Sequence, residues 1–306
     1  MQLGKLAHVA IGGGGELARF YEDLFGLVQV GEQNGISFYS TGRGAGYDVA
    51  FGPWPVGLDH FALEVRDEET MSEAQRRLEG AGVEVAAVDL DGEHAVAAGI
   101  CFTLPSGHVV ELVLPAAPEV YTSVPRVPRA HHRGIGPVEL EHVTMTCGDV
   151  ERTATFLIEV LGLRLTESVR PQPGEWFNAF LRTRDRHHDV AFFPSQDGDV
   201  PGLNHFCFAV PSVDKIVQVC DLLVEREIFL DSSLGRHLAG NNVFVYFKDP
   251  AGHRIEVNTQ MAEIHVAAEP RILTESRFDG WRPSIPPTML ATTPCRDGRA
   301  VATGTR

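Results

Sequence analysis

The 306-residue chain predicts an α+β protein of two tandem units. Three observations support that reading: a repeated text, the order of elements inside each copy, and a Pro/Gly-rich break between them. The first copy reads His8-Val9-Ala10, Asp48-Val49-Ala50-Phe51, Leu58-Asp59-His60-Phe61 and Pro105-Ser106-Gly107-His108-Val109-Val110-Glu111. The second reads His142-Val143-Thr144, Asp189-Val190-Ala191-Phe192, Leu203-Asn204-His205-Phe206 and Pro250-Ala251-Gly252-His253-Arg254-Ile255-Glu256. The spacing between copies widens by a few residues and is then equal for the second His and the Glu. Loop insertions in a tandem duplication leave that pattern. Within each copy a His-bearing strand leads into a helix and two or three strands, and the pattern then restarts.

The first unit is expected over residues 1–114. Its first helix runs from Gly15 through Leu17, Phe20, Tyr21 and Leu24 to Gly26, and Thr70 with Glu73 has the capping-box spacing for a second. The glycine run at 12–15 lacks the Lys-Ser/Thr ending of a phosphate loop and reads as a strand-to-helix turn. A linker is expected at 115–139, with Pro115, Pro118, Pro125, Pro128 and Gly134-Ile135-Gly136-Pro137, which no regular element accommodates. The second unit is expected over 140–262. Asp149 caps a helix with Val150, Ala154, Leu157, Ile158 and Leu161 on one face, ended by Gly162. Ser212, Ile216, Cys220 and Leu223 outline its second helix. A Pro-rich tail, 263–306, is expected to be loosely ordered at its end and anchored earlier by Phe278 and Trp281.

Strand alternation shows where the candidate ligands point. His142 shares a face with Thr144, opposite Val143 and Met145. His205 faces away from Phe206, Phe208 and Val210, and Glu256 away from Ile255 and Val257. All three lie on the face opposite the helices, the concave side of a curled sheet. Two His and one carboxylate on one side of a metal suit non-haem Fe(II), which keeps its other positions for substrate and dioxygen.

A net charge of −15 argues against nucleic acid or an anionic membrane as partner. No apolar run reaches the ~18 residues of a membrane helix, and no leader is expected at the N-terminus. Five cysteines without a CxxC pair indicate a reduced, cytoplasmic protein. With 43% hydrophobic residues the chain can bury two cores.

The stretch Gly235-Arg236-His237 … Tyr246-Phe247-Lys248-Asp249-Pro250-Ala251-Gly252-His253-Arg254-Ile255-Glu256 resembles the signature of type I extradiol ring-cleaving dioxygenases (catechol 2,3-dioxygenase-like) of the vicinal oxygen chelate superfamily. Arg186-His187-His188-Asp189-Val190-Ala191-Phe192 resembles that family's catalytic-His segment. The resemblance implies two domains, each of two βαβββ modules forming a cupped mixed sheet. It implies Fe(II), or less often Mn(II), on His142, His205 and Glu256. It also implies that His188 is the acid–base group near dioxygen, with His237 and Tyr246 hydrogen-bonding the catechol. Alternation cannot separate His188 from His187; the family places its His directly before the DVAF-like string. The implied partners are a catechol-type molecule and dioxygen, and the implied state is a homo-oligomer.

Trp176, Phe180 and Arg236 are candidate substrate contacts, and the two aromatics favour an apolar ring substituent. A carboxylated substrate gripped by Arg182, Arg184, Arg254 or a tail arginine is the competing idea. His108 and His253 read as turn residues, and His131, His132 and His265 as solvated. In the first unit His8, His60 and Glu111 persist while the helpers do not. Cys101 stands where Tyr246 would be, Tyr47 replaces His188, and His94 is out of register. That set is expected to be a vestigial, weak metal site, leaving one tightly held metal per chain. Competing functions are a hydroquinone-cleaving dioxygenase, a glyoxalase-type isomerase, and a non-catalytic small-molecule binder.

Overall fold

The computed structural model describes residues 1–42, 46–90, 94–117, 133–265, 267–275, 279–281 and 287–301. The linker prolines 118, 125 and 128, the solvated reading of His131 and His132, and the anchor expected of Phe278 lie outside the described residues. The first unit contains β1 (Leu6–Gly12), α1 (Gly14–Phe20), β2 (Val28–Gln33), β3 (Ile36–Ser40), β4 (Val49–Gly52), β5 (Gly57–Glu64), α2 (Glu68–Gly80), β6 (Val85–Ala87), β7 (Val96–Thr103) and β8 (Val109–Pro115). Its eight-stranded sheet runs β2-β3-β4-β1-β5-β8-β7-β6. The second contains β9 (Glu139–Cys147), α3 (Val150–Glu159), β10 (Arg164–Val169), β11 (Ala179–Arg182), β12 (Val190–Pro194), β13 (Gly202–Ala209), α4 (Val213–Glu225), β14 (Leu230–His237), β15 (Val243–Lys248) and β16 (Arg254–Thr259). The tail adds β17 (Arg271–Leu273), β18 (Asp279–Trp281) and β19 (Thr293–Pro294). The second sheet runs β17-β10-β11-β12-β9-β13-β16-β15-β14-β18, with β19 against β13. This is the mixed α+β architecture of the vicinal oxygen chelate fold.

Local chemistry explains most boundaries. Asp149 accepts a hydrogen bond from Arg152 N (2.8 Å), and Ser212 caps α4 on Lys215 N. In α2 the cap is Asp67, which accepts from Thr70 N at 2.8 Å, so the helix starts before the Thr70–Glu73 box. A carboxylate in reach of an unpaired helical N–H displaces the weaker hydroxyl cap. Val150, Ala154, Leu157, Ile216, Val219 and Leu223 pack on the convex side of the second sheet, against Val143, Met145, Phe206, Phe208, Ile255 and Val257. One continuous core joins both units.

The last residues of the tail, 302–306, for which loose order is expected, lie outside the described residues; before them the tail is held in place. Beyond Thr288 it is held by a buried side chain: the Arg254 guanidinium donates to the carbonyls of Thr288, Met289 (3.5 Å) and Ala291 (2.9 Å). Arg296 N then donates to Leu58 O (2.8 Å), and Gly298 N to Gly107 O (2.9 Å). A proline-rich chain that makes few backbone ladders finds its partners on an arginine and on the first unit. No helix among the described residues is long and apolar enough to cross a membrane.

Candidate active site

Register builds the site before any side chain is considered. Cys207 on β13 is the cross-strand partner of both His142 on β9 and Glu256 on β16. His205 lies two residues along the same face, so three candidate ligands on three adjacent strands surround one small side chain. Their ligand atoms all lie within 4.8 Å of one another. His142 Nε2 stands 3.2 Å from His205 Nε2, and Glu256 Oε2 lies 3.4 and 3.1 Å from these two nitrogens.

The hydrogen bonds around this trio set its tautomers. Asn204 Nδ2 donates to Met289 O (2.9 Å), which turns Asn204 Oδ1 toward His205 Nδ1 at 2.7 Å. His205 therefore carries its proton on Nδ1 and presents a bare Nε2. His142 Nδ1 lies 3.5 Å from Glu141 Oε2, itself held by Asn258 Nδ2 (2.6 Å). Asn242 Nδ2 donates to Glu256 Oε1 at 2.7 Å, leaving Oε2 to face the histidines. Buried lone pairs this close repel unless a cation lies among them, so the donor set fits a divalent metal of the Fe(II) or Mn(II) kind. Without one, a proton takes that role. Burial opposes charge on His142, yet hydrogen bonds to Glu141 and Glu256 outweigh it and raise its pKa to about 9. Burial lowers His205 to about 4. Burial would raise Glu256, but His142 and His205 hold it well below the usual carboxylate range.

The trio opens onto a cavity of about 300 Å³ that is also lined by His188, His237 and Tyr246. His188 lies against His142, ring centroids 4.2 Å apart, and its Nδ1 is 3.0 Å from His187 Nδ1. Burial, then the charge of His142, pushes the His188 pKa well below its ordinary value. His187 points the other way, toward Glu167 at 4.0 Å, which separates the two neighbours that alternation left open. His237 Nε2 is 3.0 Å from the Tyr246 hydroxyl, and that hydroxyl donates to Glu256 Oε2 at 2.6 Å. With the tyrosine proton engaged, His237 is the donor in their contact.

Two of the three candidate substrate contacts stay out of the cavity. Phe180 lines it, with Phe177, Phe193, Ala239 and Met289. Trp176 instead lies beneath Arg170, whose guanidinium carbon is 3.5 Å from the ring centroid. Arg236 donates to Asn241 O (2.6 Å) and Gln260 Oε1 (2.8 Å), because alternation in β14 turns it away from the face of His237. The other arginines are also engaged elsewhere: Arg182 with Thr166, Arg184 with Asp189 and Glu139, Arg254 with Asp231. No Lys or Arg lines the cavity among the described residues. Asn204 and Asn242 escaped the sequence reading. Asn204 left a signal, since an Asp or Asn precedes the second His in both copies; Asn242 left none.

His253 Nδ1 is 2.8 Å from Asp249 Oδ2, and His108 Nδ1 is 2.9 Å from Ser106 Oγ, so both are paired turn residues. In the first unit Ala62 takes the place of Cys207, opposing His8 on β1 and Glu111 on β8. His8, His60 and Glu111 converge as the second set does. Tyr47 stacks on His8 with centroids 4.3 Å apart, as His188 does on His142, while His94 stacks on Phe38.

Comparison with known proteins follows the same division. The family model of the glyoxalase/bleomycin resistance protein/dioxygenase superfamily matches residues 139–257, and that of the catechol 2,3-dioxygenase-like N-terminal domain matches residues 58–116. A manganese-dependent 2,3-dihydroxybiphenyl 1,2-dioxygenase of Geobacillus genomosp. 3 is 26% identical over 249 residues, 78% of this chain and 78% of the relative. An iron-dependent extradiol dioxygenase of Rhodococcus jostii is 30% identical over 174 residues, 54% of this chain and 57% of the relative. The solved homoprotocatechuate 2,3-dioxygenase of Brevibacterium fuscum superposes with a TM-score of 0.85 at 20% identity, covering 96% of this chain and 93% of its own.

Proposed function

We propose, for a chain that belongs to the glyoxalase/bleomycin resistance protein/dioxygenase superfamily, the extradiol cleavage of a catechol-type aromatic by dioxygen. One observation carries the reading: a convergent His142, His205, Glu256 set at the floor of an apolar cavity, with three proton-handling side chains on its walls. These three residues would hold Fe(II), or Mn(II) as in the Geobacillus relative. The metal, when bound, supplies positive charge that acidifies catechol hydroxyls and the electron path toward dioxygen.

The chain's own residues do the rest. His237 and Tyr246 stand where they can hydrogen-bond a catechol oxygen, and Tyr246 passes that constraint on to Glu256 through its 2.6 Å bond. His188 is the acid–base group. Its Nδ1 is engaged by His187 and its Nε2 makes no hydrogen bond among the described residues, so Nε2 is the atom that takes up and returns a proton inside the cavity. Phe177, Phe180 and Phe193 exclude water and stack on the ring. Their chemistry, with no cation beside them, favours a catechol bearing an apolar alkyl or aryl substituent. A glyoxalase-type isomerase is disfavoured because Glu256 is the sole carboxylate residue lining the cavity among the described residues. A homo-oligomeric state and a cytoplasmic location belong to the same proposal, supported by the family resemblance and by five free cysteines.

The test is aerobic incubation of Fe(II)- or Mn(II)-loaded protein with catechol, an alkyl- or aryl-catechol, and a carboxymethyl-catechol. A yellow ring-opened product is expected, fastest from the apolar catechols and absent in Glu256→Gln. Turnover of a hydroquinone, or of a thiol adduct, in place of every catechol would overturn it.

A further inference from the structure

The first sheet's concave face differs from the second in being filled. Phe38, Tyr47, Ala10 and Ala50 pack there with Val30, Ile36 and Trp54. Gly52 stands where the second copy has Phe193, and a Cβ on it would lie 2.3 Å from the Trp54 ring, so glycine is what lets Trp54 fold in. Trp54 meets His60 edge-on at 6.1 Å. The packing takes up space that the second cup keeps open, and the cavity of about 510 Å³ that reaches His8 and Tyr47 is lined by neither His60 nor Glu111. The first cup nonetheless keeps a complete ligand set, and the surroundings of that set are better built than those of a remnant.

His8 Nε2 and His60 Nε2 are 3.3 Å apart, and Glu111 Oε2 lies 3.9 and 3.6 Å from them. Glu111 is 7% exposed, and its Oε2 has no hydrogen-bond partner among the described residues. A buried carboxylate oxygen without a donor is costly unless a cation answers it. His60 Nδ1 is 2.9 Å from Asp59 Oδ2, a charged backing where the second site has only the amide of Asn204. A carboxylate behind a ligating histidine fixes its tautomer and raises its basicity. Asp59 in turn accepts through both carboxylate oxygens from one tail nitrogen, Arg296 Nη1, at 3.1 and 2.9 Å. Finally, the Tyr47 hydroxyl stands 3.1 Å from His8 Nε2, a fourth donor in the place that the second site gives to an acid–base histidine.

We propose that His8, His60 and Glu111, with the Tyr47 hydroxyl, form a second, closed site for a divalent transition-metal ion that serves structure and not turnover. Structural sites are closed by four protein ligands, whereas catalytic ones keep a position open. The two copies have divided these roles: an open site under a cavity in the second, a closed one under aromatic packing in the first. The closed site also sits beneath the tail. Arg296 grips the carboxylate that backs its histidine, and seven residues earlier the Met289 carbonyl accepts from Asn204, the equivalent residue of the second site.

The experiment is a metal count on the full chain, stripped with a chelator and re-equilibrated with excess Co(II). Bound cobalt per chain is read by elemental mass spectrometry, and coordination by visible absorption, which is intense for four-coordinate Co(II). Wild type is expected to hold two ions, and Glu111→Gln and Glu256→Gln one each. The intense absorption should vanish in Glu111→Gln and persist in Glu256→Gln. Asp59→Asn should keep the fold and weaken the first-unit ion by about 10–100-fold, the usual effect of losing a residue behind a ligand. A single ion in wild type that disappears with Glu256→Gln overturns the proposal, and this reading needs no folded Glu111 variant. A single ion that disappears only with Glu111→Gln would instead sink the function proposed for the second unit.

Discussion

Single residues in the second site have separable duties. If His188 moves the proton, His188→Phe should leave anaerobic catechol affinity largely intact and slow the steps after oxygen mixing by roughly 10²–10⁴-fold. Lost binding with an unchanged oxygen step would make His188 a positioning residue instead. Tyr246→Phe removes the donor to Glu256 and the acceptor for His237, and should cost about 1–3 kcal/mol in transition-state stabilisation, read as kcat/KM. His108 offers a pH-dependent prediction away from the metal sites. Burial drives its pKa down to about 4, and its ring is satisfied in the neutral form by Ser106 and the Gly202 carbonyl. Below an unfolded value of about 6.5 the unfolded chain therefore binds a proton that the folded chain refuses. Stability should fall as pH drops from about 6.5 toward 4, by up to roughly 3 kcal/mol, and His108→Asn should flatten that part of the denaturation profile.

Among the elements, the tail is the least expected and the most consequential. The segment from Thr288 onward supplies three carbonyls to Arg254, a side chain only 2% exposed that pairs with Asp231 at 2.7 Å. Ending the chain at Pro286 would strand part of a buried guanidinium, a change of about 3–5 kcal/mol by analogy with broken buried pairs. It would also remove Met289 from the cavity wall. The expected outcome is a lower urea midpoint together with a higher KM for apolar catechols. An unchanged KM would mean that the tail braces the sheet without shaping the cavity.

For the whole molecule, metal and fold are linked. Each ion held at about 100 times its dissociation constant adds about 2.7 kcal/mol to stability. Chelation should therefore lower Tm in wild type by more than in either Glu111→Gln or Glu256→Gln, since each variant has one ion fewer to lose. The units also stabilise each other directly: Tyr21 donates to Asp249 Oδ2 at 2.9 Å, and His108 reaches the Gly202 carbonyl at 3.3 Å. Tyr21→Phe should lower stability by about 1–3 kcal/mol through the lost bond to a buried carboxylate, whose Oδ2 is then left to His253 Nδ1 alone.

What the sequence by itself determined was whatever alternation and repetition encode. The duplication, the shared orientation of His142, His205 and Glu256 on β9, β13 and β16, and the cap at Asp149 follow from residues a few positions apart. Even the Asp59/Asn204 difference was visible in the repeated strings. Tertiary structure decided the rest. Trp176 and Phe177 are neighbours, yet only the second faces the cavity, because the turn before β11 sets which one points inward. His188 faces the cavity while His187 turns to Glu167. Asn242 meets Glu256 through the approach of β15 to β16, and Arg296 meets Asp59 from a tail more than half the chain away. Such contacts depend on register and on segments that converge only when the sheets close, and no local period in the sequence carries that information.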